Sequence, residues 1–191
     1  RTGKKVQEVL KNHKSNIRFQ TDYCHDNYRR YNLVDFHIKS SYNPAATGFK
    51  KYDYLSLDMI YQVLRLGTRY LEFEIFAKEQ NNDSIPVISI GSKKGDWKMT
   101  ANVLDCKDVF NLLAVNGFSQ KLLENYRDPL FIFLNIKTDN VTVLNKLAKI
   151  LETSFKINLL DKTYQYQRKN IAETKVCDLL DKVVVMSSKG Y

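Results

Sequence analysis

Cysteine is scarce in this chain, with three in 191 residues, and Cys24, Cys106 and Cys177 stand far apart in the sequence. An odd, dispersed set excludes a disulfide framework and the close ligand pairs of a zinc cluster, and fits reduced thiols in a cytosol-like compartment. Histidine is equally rare, limited to His13, His25 and His37. With three prolines and seven glycines there is no Pro- or Gly-rich linker, and neither a low-complexity tract nor an internal repeat is visible. No apolar run approaches the roughly 18 residues of a membrane span. The basic start, Arg1 to Lys5, lacks the apolar core of a secretion signal. The chain opens on Arg1 rather than Met, as a fragment or processed product does.

What is present describes a folded domain. Hydrophobic residues make up 43% and aromatics 12%, enough for a core in a chain of single-domain length. The net charge of +9 favours acidic partners such as anionic lipid headgroups or acidic proteins. The lysines are scattered, as on any solvated surface; the tightest clusters are Arg29-Arg30, Lys50-Lys51 and Lys93-Lys94. No RNP, zinc-finger or helix-turn-helix signature supports nucleic acid as a partner.

Along the chain, Val6, Val9 and Leu10 predict a short amphipathic helix over 4–12, followed by a polar, aromatic stretch to Arg30. Residues 1–32 thus read as a helical and irregular lead-in, and 33–191 as the main domain. Leu33 to Ile38 reads as a strand ending at the Ser40-Ser41 turn, with a loop marked by Asn43-Pro44 and Thr47-Gly48. A helix from Leu57 to Leu66 stops at Gly67. Strands are expected at Tyr70–Phe76, Pro86–Ile90, Leu130–Ile136 and Lys182–Met186, and helices at 106–116, around Lys121–Tyr126, at 140–155 and near Lys175–Leu180. Alternating strands and helices predict a parallel sheet with right-handed crossovers. About five strands and about four helices fall short of the eight repeats that close a barrel.

The run Ser40-Ser41-Tyr42-Asn43, with Gly67-Thr68-Arg69-Tyr70-Leu71-Glu72-Phe73-Glu74 downstream, resembles the first two active-site strands of the phosphoinositide-specific phospholipase C catalytic domain, its X region. That family reads Ser-Ser-His-Asn in the first block and Gly-Cys-Arg-x-x-Glu-x-Asp in the second. Further matches follow in order: Pro86-Val87-Ile88-Ser89-Ile90-Gly91, Thr100, Asp108-Val109-Phe110, Asp128 to Asn135, and the end from Leu179 to Tyr191. The resemblance covers roughly residues 33–190. It implies an α/β, TIM-barrel-like fold of phospholipase C type, an incomplete first-half barrel of about five parallel strands. Its open edge and apolar face call for missing sequence or a partner to complete the barrel.

Enzymes of the family cleave phosphatidylinositol lipids with two histidines and, in the eukaryotic branch, a Ca2+ held by Asn, Glu, Asp and Glu. A poor alkoxide leaving group needs an acid that titrates near neutral pH. Carried over by position, the first histidine falls on Tyr42, whose phenol has an ordinary pKa of about 10, and the second on Ile90. No catalytic residue is therefore expected. The metal positions fall on Asn43, Glu72, Glu74 and Asn135, and the family's phosphate-binding lysine on Met186, with Lys189 close by. The lost carboxylate leaves at most a residual Ca2+ site and otherwise no cofactor. Two carboxylates on one strand face are costly unless paired, and salt bridges to Arg65, Arg69 or a lysine are the ordinary alternative. His37 is expected to be structural.

Lys50, Lys51, Lys93, Lys94, Trp97 and Lys189 are the candidate phosphate or lipid contacts at the barrel rim. The expected function is a phospholipase C-like domain without catalysis, a structural or binding module on a protein assembly or an anionic membrane surface. The rival is an active phosphatidylinositol phosphodiesterase with a rearranged site using Glu72, Glu74 and His37. The location expected is intracellular, cytoplasmic or peripheral to a membrane. Richness in Lys, Asn, Ile and Tyr resembles proteins of AT-rich genomes, large DNA viruses included, and adds a virion component to that expectation.

Overall fold

The computed structural model describes residues 30–48, 52–81, 83–91, 98–165 and 168–188. The expected helix over 4–12, His13, His25 and Cys24 lie outside these residues, as do Lys50, Lys51, Lys93, Lys94, Trp97 and Lys189.

Four strands run parallel and side by side in chain order. β1 (Ser40–Tyr42) pairs with the first half of β2 (Tyr70–Ala77), β2 pairs along its length with β5 (Leu130–Ile136), and β5 pairs with β6 (Val183–Ser187). A helix lies between each successive pair in the sequence: α1 (Leu57–Arg65), α2 (Cys106–Asn116) and α3 (Val141–Phe155). This is the β/α alternation of a TIM-type barrel, in a sheet that does not close.

Two strands depart from the expected all-parallel sheet. β3 (Pro86–Ile88) runs antiparallel to the second half of β2, and β4 (Leu104–Asp105) antiparallel to β3. Residues 78–85 are too few for a crossover, which needs a dozen or more, so the chain folds straight back. The expected strand at Leu33–Ile38 is also corrected. Leu33–Asp35 is a 3-10 turn, closed by the Asp35 carboxylate accepting from the Asn32 amide at 2.8 Å, and the strand begins only at Ser40. The helical piece around Lys121–Tyr126 is a series of turns, in which the Leu122 and Leu123 amides both donate to the Ser119 carbonyl. The last helix survives as α4 (Val176–Leu179).

Side-chain parity sets the layers. Leu71, Phe73 and Ile75 of β2 and Leu130, Ile132, Leu134 and Ile136 of β5 face the helices and are buried. Opposite them α2 buries Cys106, Val109, Phe110 and Leu113, and α3 buries Val143, Leu147, Leu151 and Phe155, each on a helical repeat. An aromatic column ties the layers: Phe73 meets Phe110 edge-on at 6.3 Å, and Phe110 meets Phe155 at 6.0 Å. The starts of α1, α2 and α3 are capped from their own sequence by Ser56, Asp105 and Asn140, each accepting a backbone amide. Gly67, at φ 81°, ends α1 and turns the chain into β2.

The other face of the sheet looks into the would-be barrel. Strand register arranges it in rows: Ser40, Tyr70, Phe131 and Val184 below, Tyr42, Glu72, Phe133 and Met186 in the middle, and Glu74 with Asn135 above. Leu33, Phe36, Val176 and Leu180 form a small separate cluster, and the first three, with Phe131, line a cavity at the start of the strands. Higher up, Tyr42 is 62% exposed, and Glu72, Phe133, Asn135 and Met186 are half-buried. Among the described residues no helix is long and apolar enough to cross a membrane.

Candidate functional site

The middle and upper rows bring the family-derived positions together at the C-terminal ends of the parallel strands, where TIM-type barrels place their chemistry. Tyr42 ends β1 beside Glu72, and Glu74 lies opposite Asn135 on β5. Asn43 follows in the left-handed conformation, φ 47°, with its amide donating to the Glu72 carbonyl at 3.0 Å. Asparagine tolerates that conformation better than most residues.

Glu74 is 3% exposed, yet no ion pair involves it among the described residues. Its two oxygens are satisfied by neutral donors. The Tyr42 hydroxyl donates to Oε1 through a short hydrogen bond, and the Gly91 amide donates to Oε2 at 2.9 Å. Burial, followed by the hydrogen bond and charge of Glu74, pushes the Tyr42 phenol up to about 12. The phenol thus holds its proton across the physiological range and acts as a fixed donor.

Among the described residues neither Arg65, Arg69 nor a lysine forms a salt bridge with this pair. Arg69, also 3% exposed, donates from Nη1 to the Gly117 carbonyl at 2.7 Å and from Nη2 to the Asp128 carbonyl, with its guanidinium over the Phe118 ring at 5.4 Å. Arg65 lies over Tyr61. Parity explains the miss: Arg69 shares its side of the strand with Leu71 and Phe73, whereas Glu72 and Glu74 project the other way.

Ile90, the second histidine position, is half-buried, and its carbonyl accepts from the Met99 amide at 2.8 Å. Next to it the Ser89 and Thr100 hydroxyls share a hydrogen bond of 2.6 Å. His37 is exposed and lines the cavity at the opposite end of the strands with Arg69 and Asp128. It thus lies outside the site.

Of the four metal positions, Asn43, Glu72, Glu74 and Asn135 share one region, but they do not fit a calcium ion. Ca2+ takes six to eight oxygens with accumulated negative charge. Here both oxygens of Glu74 already accept hydrogen bonds, one from a phenol that stays protonated. Among the described residues no group of three His, Cys, Asp or Glu side chains is placed to hold a metal. The Asn43 Oδ1 is the exception: it is buried and, among the described residues, accepts no hydrogen bond.

Beside the Tyr42–Glu74 hydrogen bond lies a cavity of about 460 Å3 that both histidine positions, Tyr42 and Ile90, help to line. Sequence reasoning missed three of its other walls, Met59, Val63 and Met99. The spacing of Met59 and Val63 places both on one face of α1, a signal that was available.

Comparison of the sequence with known protein families finds no match, and comparison with curated proteins finds none. Solved structures do match. PLC21 of S. officinalis superposes with a TM-score of 0.64 at 22% identity, over 82% of this chain and 18% of its own. PLC21 of L. pealei gives 0.64 at 21%, with the same coverage. A calcium-dependent phosphoinositol-specific phospholipase C of the Gram-negative bacterium Pseudomonas sp, in its apo form, gives 0.55 at 11%, over 86% of this chain and 61% of that one. The chain thus spans under two thirds of each of these proteins. With its mixed, unclosed sheet and parallel β/α core, this chain has an incomplete TIM-barrel-like fold of the phosphoinositide-specific phospholipase C kind.

Proposed function

We propose that this chain is a non-catalytic binding module on a phospholipase C-like scaffold, docking on an anionic membrane surface. The observation that carries this reading is the Tyr42 hydroxyl bonded to Glu74, with Ile90 at the other histidine position. Cleavage of a phosphodiester by this scaffold needs a group that accepts and returns a proton near neutral pH. A phenol held near 12 keeps its proton, and isoleucine has none to give. The one histidine among the described residues, His37, sits at the wrong end of the strands. The net charge of +9 supports the membrane surface as the place of docking.

The test is release of soluble inositol phosphate from phosphatidylinositol vesicles, with and without Ca2+. We expect none above background in either condition; turnover abolished by Glu72→Gln would overturn the reading. Co-sedimentation with phosphatidylserine vesicles, lost in high salt, is expected for surface docking. Sedimentation that salt does not change, or none at all, would point instead to a protein assembly.

A further inference from the structure

We propose that the groove between α2 and α3, on the far side of the sheet from the would-be barrel, binds a phosphate monoester through Lys107, Lys146 and Lys149. The groove is separate from the row of Tyr42, Glu74 and Ile90, and the proposal goes beyond the non-catalytic reading of that row.

The groove encloses about 340 Å3, within the range of small-molecule sites, whereas a protein partner buries far more surface than such a recess offers. Its floor is apolar, from Ile85, Pro86 and Ile150, and its cations come from both helices. Lys107 and Asn111 stand one turn apart on α2, and Lys146 and Lys149 one turn apart on α3, so each pair shares a helix face. Against the three lysines the lining holds one acid, Asp105, which leaves an excess of two positive charges. A phosphate monoester carries close to two negative charges at neutral pH and matches that excess.

The donors are not spent within the protein. Among the described residues none of the three lysines forms an ion pair. Lys146 is held in place: its Nζ donates to the Asp83 carbonyl at 2.9 Å and to the Ser84 carbonyl at 3.0 Å, with a third N–H left over. The Asn111 Oδ1 accepts from the Ser154 hydroxyl at 2.9 Å, and its amide NH2 remains as a further donor. The Asp105 carboxylate is engaged with its own helix, where Oδ1 accepts from the Lys107 amide at 2.8 Å. Asn82, outside the described residues and next in sequence to Asp83, carries no charge. Like charges one turn apart repel, and Lys107 adds a third to the same groove; a bound dianion would remove that cost. Lysine serves phosphate well, because its ammonium is a compact point charge with several donors.

The experiment is calorimetric titration of the full chain with glycerol 3-phosphate at low ionic strength, with glycerol as the uncharged control. We expect saturable binding of glycerol 3-phosphate and none of glycerol. Lys107→Gln and Lys149→Gln should each weaken binding about threefold to fivefold, and together about tenfold. Lys162→Gln, at an exposed lysine outside the groove, should leave it unchanged. Lys149→Gln relieves repulsion and should not lower the melting temperature of the unliganded chain; a drop would show that the lysine serves the fold and would overturn the inference. Sedimentation with phosphatidic acid vesicles that free glycerol 3-phosphate displaces would assign the ester to a lipid headgroup. Binding of the free ester alone would assign it to a soluble molecule, and either result supports the groove. Three results would sink it: no saturable binding of either probe, binding that the double variant keeps, or phosphatidylserine vesicles held as tightly as phosphatidic acid and lost in the same double variant. Turnover of phosphatidylinositol vesicles, by contrast, would end the non-catalytic reading and leave this groove untouched.

Discussion

Arg69 and Glu74 stand just before β2 and midway along it, and they solve the same problem with opposite signs. Both are 3% exposed, and neither forms an ion pair within 4 Å among the described residues. The cation is held by two backbone carbonyls and an aromatic face, and the acid by a phenol hydroxyl and a backbone amide. Fixed dipoles make the direct contacts that a counter-ion would make, and at the Arg69 end the buried Asp128 adds its charge from further off. The consequences differ. Arg69 ties together three pieces of chain, the start of β2, the end of α2 and the approach to β5, whereas the Glu74 carboxylate ties β2 to Tyr42 and to Gly91, the residue after Ile90.

The largest effect should come from the Arg69 end. Arg69→Met leaves the Gly117 and Asp128 carbonyls facing an apolar side chain and should cost about 3–5 kcal/mol in urea unfolding. Arg69→Lys, unable to span both carbonyls, should recover only part of that. A loss of less than about 1 kcal/mol in Arg69→Met would break the comparison, because the cation would then carry no more of the fold than an ordinary surface residue.

At the other end Tyr42→Phe removes one hydrogen bond to a carboxylate and should cost about 1–2 kcal/mol. It should also free Glu74 Oε1, so that Ca2+ raises the melting temperature of the variant while leaving wild-type protein unmoved. The pH dependence sharpens this. The Tyr42 phenol titrates near 12 in the folded state against about 10 unfolded. Its contribution is therefore complete below pH 10 and lost as pH rises toward 12. Ultraviolet titration should find Tyr42 ionising late, with Tyr70 also shifted upward by burial, and Tyr42→Phe should remove one of the late steps.

Asp128 gives a pH effect of similar size at the Arg69 end. Burial raises its carboxyl to about 6, with Arg69 and Asn125 pulling it back. The folded value lies above the unfolded 3.8, so the native state binds the extra proton and stability falls as pH climbs from about 4 to 6. Asp128→Asn should therefore raise stability by about 1–2 kcal/mol at pH 7 and by almost nothing at pH 4. The smallest expected loss is at the bend between α1 and β2: Gly67→Ala, forced to φ 81°, should cost about 1 kcal/mol.

Much of this was legible in the sequence. β5 announced itself as an unbroken apolar run behind Pro129, and α2 and α3 by apolar residues on a helical repeat. The ordered motifs picked out residues that the strands do bring together, Tyr42 beside Glu72 and Glu74 opposite Asn135. The antiparallel turn into β3 was also readable, because eight residues between Ala77 and Pro86 cannot carry a parallel crossover. Strand parity would likewise have separated Arg69 from Glu74. Two things lay beyond any local reading. Leu33 to Ile38 has the composition of a strand, but a side chain within it, Asp35, competes for the backbone and closes a turn. The reach of the Tyr42 hydroxyl to Glu74, 32 residues away, exists only once the two strands are laid in register.

Cys106 gives this architecture a built-in clock. Its thiol is fully buried at the start of α2, and burial pushes it well above its ordinary value, so an alkylating reagent meets a protonated sulfur behind a closed wall. Its labelling will keep time with the peeling of α2 from the sheet, while the half-exposed Cys177 records the reagent's own pace. The ratio of the two rates measures how often this half-barrel opens its back.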